Sequence, residues 1–274
     1  MTKKQAAAAV RRPFDKYFYY LNSVQDPASN MAFMRQVYLD VRGHLPQALT
    51  LREDFCGTFA NACAWVALSP SYKAVAVDLD PEPIAYGRAH YLPLLSPEQQ
   101  ARLVVHEGDV TLMSEQADII AALNFGVCFF LTRADLSRYL RAVLASLAPG
   151  GVAVFDLLGG AFYEEDNEHE EEIEEPEAFS YFFEQSDWDP LNRIATFSIH
   201  FKRKGEPKRE RVFSYPFRLW TPPELRDLLV ELGFSKVQFY WEGTDEDGEG
   251  NEVWTLAERG DSCDSWGTYV AASK

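Results

Sequence analysis

The run Leu49-Thr50-Leu51-Arg52-Glu53-Asp54-Phe55-Cys56-Gly57-Thr58-Phe59-Ala60-Asn61 decides how the rest of the chain is read. Its apolar entry predicts a strand, Gly57 permits a tight turn or a close backbone approach, and the residues from Phe59 to Leu68 have the composition of a helix. A strand, a glycine turn and a helix bring backbone N–H groups and the positive end of a helix dipole to one point, a place to hold an anionic or zwitterionic ligand. The bland alternative is an ordinary β–α turn of any α/β protein.

Working outward, the flanking residues separate two cofactor classes. A dinucleotide needs several glycines so that the backbone can touch its pyrophosphate, in the pattern G-x-G-x-x-G, and Phe55 and Phe59 stand where those glycines are wanted. S-adenosylmethionine has no phosphate, so one glycine with a neighbouring carboxylate, Glu53 or Asp54, suffices. Tyr72 to Asp78 reads as a buried second strand ending in an acid about twenty residues beyond Gly57, the spacing at which a carboxylate meets ribose hydroxyls. That acid alone does not exclude NAD. Leu79-Asp80-Pro81-Glu82-Pro83 follows, with proline at a helix start.

The α/β alternation continues through a third strand, Arg102 to His106, followed by Glu107-Gly108-Asp109-Val110. A fourth strand, Ala117 to Leu123, delivers Asn124-Phe125-Gly126 to the same sheet edge, where open α/β sheets bind ligands. Asn124 and Phe125 are candidates to flank the methyl-donor end, although Asn124 reads equally well as a turn cap. A helix from Arg133 to Leu147, a Pro149-Gly150-Gly151 stop and a fifth strand, Val152 to Leu158, complete this part. From Gly159 the alternation breaks. The acidic run from Glu164 to Glu177 is expected to be a solvated loop, despite His169, rather than a metal site. Three β-rich segments, Phe179 to Trp188, Arg193 to Lys202 and Arg209 to Leu219, are divided by turn signals and predict an antiparallel meander that shapes a substrate pocket or a dimer contact. The main domain resumes at Thr221-Pro222-Pro223-Glu224, a helix start with a capping-box acid, ending before Gly233. A sixth strand from Ser235 to Trp241, an acidic excursion from Glu242 to Asn251, and a last strand from Ser265 to Ala272 predict an antiparallel hairpin at the sheet edge.

Taken with these elements, Glu53-Asp54-Phe55-Cys56-Gly57-Thr58-Phe59 resembles the first motif of the class I S-adenosylmethionine-dependent methyltransferases, acid-x-x-Cys-Gly-Thr-Gly, with Phe59 in place of the last glycine. The likeness covers most of Leu49 to Leu158 and resumes at Thr221. It implies a Rossmann-like, mostly parallel sheet of seven strands with the last antiparallel, interrupted by the β meander. It also implies cofactor contacts at Glu53, Cys56, Gly57, Asp78, Leu79, Asn124 and Phe125, with Asp109 accepting from the adenine amino group and the Val110 N–H meeting a ring nitrogen. The expected divisions are an N-terminal helical or lid segment over 1–45, a cofactor core over 46–158, the insertion over 159–219 and completion of the core over 220–274. The insertion resembles those of small-molecule N-methyltransferases of the glycine and amino-sugar kind, so the expected reaction is methyl transfer to an amine or hydroxyl of a small molecule. Tyr20, Tyr163, Arg218, Trp220 and Tyr240 are acceptor-pocket candidates, with plain packing the stronger reading for each. The aromatic run Pro13 to Tyr20 is either a lid over a sulfonium or packing for the first helix.

Composition bounds the alternatives. A formal net charge of -16 over 274 residues disfavours nonspecific binding to nucleic acid or an anionic membrane. Cys56, Cys63, Cys128 and Cys263 show no zinc-type spacing, and neither a signal peptide nor a membrane-length apolar run is evident, so a cytoplasmic protein without a metal is expected; a homodimer through the β-rich insertion is one option the sequence leaves open. Two rival functions remain open: a nicotinamide-dependent oxidoreductase, and a catalytically silent adenosylmethionine-binding or interaction protein.

Overall fold

In the computed structural model, residues 12–244 and 250–274 are described; the first part of the segment expected over 1–45 and part of the excursion after Glu242 lie outside them. In chain order the chain forms α1 (Lys16–Val24), α2 (Pro27–Arg42), β1 (Thr50–Asp54), α3 (Ala60–Leu68), β2 (Lys73–Asp78), α4 (Pro81–His90), α5 (Pro97–Gln100), β3 (Leu103–Glu107), β4 (Ala117–Ala122), α6 (Arg133–Ser146) and β5 (Leu147–Gly159). There follow β6 (Asn167–Ile173), β7 (Phe179–Asp189), β8 (Ile194–Arg203), β9 (Arg209–Arg218), α7 (Pro222–Leu232), β10 (Lys236–Thr244), β11 (Gly250–Ala257) and β12 (Trp266–Ser273).

The helix boundaries follow from capping chemistry. Asp26 and Asp80 each accept backbone N–H bonds ahead of a proline at the first helical position, and Thr221 with Glu224 closes a reciprocal capping box at α7. Gly233 ends α7 in the left-handed region, where glycine carries no Cβ penalty.

The main sheet runs β3-β2-β1-β4-β5-β12-β10-β11. The strands from β3 to β5 are parallel, whereas β12 pairs antiparallel with both β5 and β10. The antiparallel hairpin expected at the edge is present, and β11 adds an eighth strand beyond the seven expected. The excursion after Glu242 returns along β10, with Phe239 opposite Ala257. Both faces are covered. Met31, Met34, Trp65 and Val66 from α2 and α3 pack one side, and Leu136, Leu140, Leu225 and Leu229 from α6 and α7 pack the other. The near-continuous apolar strands, such as Ile119 to Ala122, are what a parallel sheet buried on both sides requires.

The inserted meander is a second antiparallel sheet, β6-β7-β8-β9. Its fourth strand corrects the sequence reading: the acidic stretch Asn167–Ile173 pairs residue for residue with Phe179–Gln185 instead of forming a loop. It is an edge strand with charged, exposed side chains, a composition that discourages further strand addition. One face of this sheet is aromatic, and α1 docks on it through Tyr19, which stacks on Phe14 at 5.0 Å and meets Phe179 edge-on at 4.8 Å.

Candidate active site

The turn after β1 is built from left-handed backbone: φ is 59° at Phe55, 52° at Gly57 and 50° at Phe59. For the two phenylalanines this conformation is costly, about 1 kcal/mol or more each, and persists only where surroundings hold it. Phe59 is held by complete burial against Gly87 of α4, where an added Cβ would come within 2.5 Å of the Phe59 ring and 2.2 Å of the Thr58 carbonyl oxygen. The missing glycine of the motif is therefore compensated one helix away. Beneath the turn, Glu53 is buried and accepts from Asn61 Nδ2 at 2.9 Å and from the Ala62 N–H at 3.0 Å. Burial pushes its carboxyl up to about 8.

Asp78 ends β2 beside this turn. One carboxylate oxygen accepts from the Gly57 N–H at 2.7 Å and the other from the Asp80 N–H at 2.9 Å. Each oxygen keeps a lone pair for a further donor, because an ionised carboxylate offers about four acceptor sites. Burial raises the pKa of Asp78 from its ordinary value, against the pull of those N–H donors. After β4, Asn124 and Phe125 form another strained turn, with φ of 55° and 63°. The buried Asp156 at the end of β5 fastens it by accepting the Phe125 N–H at 2.8 Å, and burial pushes that carboxyl up to about 7.

These turns open into one cavity of about 770 Å³, within the ordinary range for small-molecule sites. Its floor holds Cys56, Gly57, Thr58, Asp78, Leu79, Asp80 and Asn124, and its far wall is Tyr17 and Tyr20 of α1 with Phe213, Tyr215 and Phe217 of β9. Phe129 closes the side, edge-on to Phe217 at 4.9 Å and to Tyr215 at 5.4 Å. In the N-terminal aromatic run, Tyr19 packs on the second sheet while Tyr17 and Tyr20 face the cavity.

Of the residues expected here, Cys56, Gly57, Asp78, Leu79, Asn124 and Tyr20 line the cavity. The others do not, for identifiable reasons. Glu53 is consumed as the brace of α3, and Asp109 caps the short turn at Val110–Leu112, leaving Val110 buried. Phe125 packs into the apolar core. Tyr163 rests edge-on against Phe162, and the Tyr240 hydroxyl donates to Asp40 at 3.2 Å, tying α2 to the sheet. Arg218 lies over the Trp220 ring at 3.7 Å and donates to the Leu131 carbonyl, while Trp220 Nε1 donates to the Phe130 carbonyl at 3.1 Å. Sequence reasoning missed Phe129, Phe213, Tyr215 and Phe217 of the cavity wall, although the alternation of Phe213, Tyr215 and Phe217 is the period-two signature of one strand face. Among the described residues no group of three metal-binding side chains occurs, and no helix is long and apolar enough to cross a membrane.

The mostly parallel sheet with its antiparallel strand next to β5, and the separate four-stranded antiparallel sheet, give the chain a Rossmann-like fold shared with solved S-adenosylmethionine-dependent methyltransferases. Among solved structures, the chain is similar to CalS10 of Micromonospora echinaspora, an amino pentose methyltransferase with S-adenosylmethionine bound: TM-score 0.66 and 16% identity over 97% of this chain and 100% of that one. It is also similar to the sugar N-methyltransferase KedS8 of Streptoalloteichus sp, with TM-score 0.63 and 17% identity over 99% and 98% of the two chains. An S-adenosylmethionine-dependent methyltransferase of Clostridium acetobutylicum gives TM-score 0.62 and 17% identity over 94% and 96%. At such identities the likeness is one of fold. No protein-family model matches the chain, and no curated protein matches it by sequence.

Proposed function

We propose that the protein is an S-adenosylmethionine-dependent methyltransferase that acts on an amine of a small molecule. One observation carries this reading: the Gly57 turn, the Asp78 carboxylate and Asn124 share a single cavity with a wall of aromatic rings. The Gly57 turn would take the amino-acid end of the cofactor, the free lone pairs of Asp78 its two ribose hydroxyls, and Leu79 the adenine face. The cofactor supplies a methyl carbon activated by its sulfonium. The chain's part is to align the nucleophile with that carbon and to keep water out, which is where orientation yields most of the rate. Tyr17, Tyr20 and the rings of β9 exclude water, and ring faces stabilise the positive charge that moves onto an amine nitrogen. The insertion over 159–219 would thus be the acceptor-shaping part of the chain and 46–158 the cofactor-holding part. Methylation assays on amine, hydroxyl and carboxylate panels test this: amine turnover supports it, and reaction of only the other two would overturn the acceptor assignment.

A further inference from the structure

At the junction of α1 and α2, three neighbouring polar side chains are spent on the chain itself. Asn22 Nδ2 donates to the Phe18 carbonyl at 2.7 Å, Ser23 Oγ donates to the Tyr19 carbonyl at 2.9 Å, and Asp26 caps α2 by accepting the Ala28 and Ser29 N–H groups. Gln25 is the exception. Its extended backbone ends α1, while its side-chain carbonyl oxygen is buried and, among the described residues, has no hydrogen-bond partner. Of the buried side-chain polar atoms left unpaired, it is the one that belongs to a residue lining the cavity. Burying an acceptor without a donor is unfavourable, and a ligand that brings the donor removes the penalty.

Gln25 borders two hollows. One is the cavity already described, which it lines with Cys56, Gly57 and Thr58; the other, also of about 770 Å³, lies against Ala60, Cys63 and Ala64 of α3. Those residues run in sequence through the Gly57 turn into α3, so Gln25 stands against the corner where the turn becomes the helix. A hydrogen bond of 3.3 Å from Asn30 to Asn61 fastens α2 to the first turn of α3 and holds this placement. The terminal torsion of a glutamine is soft, so its amide can turn towards a ligand while the backbone stays fixed.

That corner is where the methyltransferase reading puts the amino-acid end of the cofactor, a zwitterion with ammonium donors and carboxylate acceptors. Lys16, the one cation among the described lining residues, is paired with Glu82 at 2.6 Å. Asp78 and Asp80 hold backbone N–H groups. A primary amide carries one acceptor oxygen and a two-proton donor, so a single neutral side chain answers both halves of a zwitterion.

Resting on the methyltransferase reading, we propose that Gln25 binds the amino-acid end of the cofactor, its carbonyl oxygen accepting from the ammonium and its amide N–H group donating to the carboxylate. Because Gln25 directly follows α1, this contact also ties the helix that carries Tyr17 and Tyr20 to the bound cofactor.

The test is calorimetric titration of the full chain with S-adenosylhomocysteine and with methylthioadenosine, which keeps the nucleoside and lacks the amino-acid end. Gln25→Met, similar in length and without the amide, should bind S-adenosylhomocysteine on the order of tenfold more weakly than the native chain and methylthioadenosine equally well. An unchanged unfolding temperature confirms that the variant folds. Gln25→Glu separates hydrogen bonding from the filling of space, because its carboxylate favours the ammonium and repels the cofactor's own carboxylate. Its affinity for decarboxylated S-adenosylhomocysteine, relative to S-adenosylhomocysteine, should rise on the order of tenfold over the native ratio. Unchanged S-adenosylhomocysteine affinity in Gln25→Met, an equal loss for both ligands, or an unaltered ratio in Gln25→Glu would overturn the assignment. Failure of the native chain to bind S-adenosylhomocysteine would instead strike the methyltransferase reading.

Discussion

Arg52 and Asp54 sit two residues apart on β1, both fully buried, joined by two hydrogen bonds of 2.9 and 3.0 Å, and the Tyr139 hydroxyl of α6 donates to the same carboxylate at 2.9 Å. Removing one partner of such a pair strands a charge in the interior. Arg52→Met is therefore expected to cost about 3–5 kcal/mol of unfolding free energy in a denaturant titration, and a cost under about 1 kcal/mol would show the pair to be dispensable. Glu53 makes a different prediction. Its carboxyl is raised from 4.5 to about 8 by burial, so the folded state binds this proton more tightly than the unfolded chain does. Its contribution to stability is then fully present below about pH 4.5 and is lost as pH rises to about 8. Asp156, raised from 3.8 to about 7, adds a slope of the same sign over its own window. The midpoint of thermal unfolding should fall between pH 5 and pH 8, and Glu53→Gln should show a shallower fall; equal slopes in the two proteins would contradict this (about 1.4 kcal/mol accompanies each shifted unit).

At the level of elements, the Gly57 turn depends on how α4 meets the start of α3. Gly87 allows contact with Phe59 and the Thr58 carbonyl that a methyl group would block. Gly87→Ala should thus destabilise by about 1–3 kcal/mol, although alanine is the better helix former, and weaken ligand binding at the turn; calorimetry on the variant reads both. The α/β core was legible because hydrophobic runs, prolines after aspartates, and glycines at helix ends are local signals. The strand at Asn167–Ile173 was not, because its pairing is decided by the aromatic partner Phe179–Gln185 rather than by its own acidic side chains. Tyr17 and Tyr20 were ambiguous for a related reason: helical spacing places Tyr19 and Tyr20 on different faces, and only the position of the second sheet decides which one meets the cavity.

In the whole molecule, two sheets share the work. The eight-stranded sheet brings the Gly57 turn, Asp78 and Asn124 to one edge, and the four-stranded sheet with α1 supplies an aromatic cover. The meeting of the Gly57 turn, Asp78 and Asn124 at one cavity could be anticipated because these residues follow strands at characteristic spacings. The aromatic wall could not, since Phe129, Phe213, Tyr215 and Phe217 come together at the cavity only through the inserted sheet, whose position no local signal gives. The central claim is that the Asp78 carboxylate holds the adenosyl ribose. Isothermal titration with S-adenosylhomocysteine and with NAD, on the native protein and on Asp78→Ala, tests it most directly. The native protein should bind S-adenosylhomocysteine and not NAD, and Asp78→Ala should weaken that binding on the order of a hundredfold, the equivalent of two charged hydrogen bonds. Binding of NAD in preference to the adenosyl ligand, or unchanged affinity in Asp78→Ala, would contradict the account.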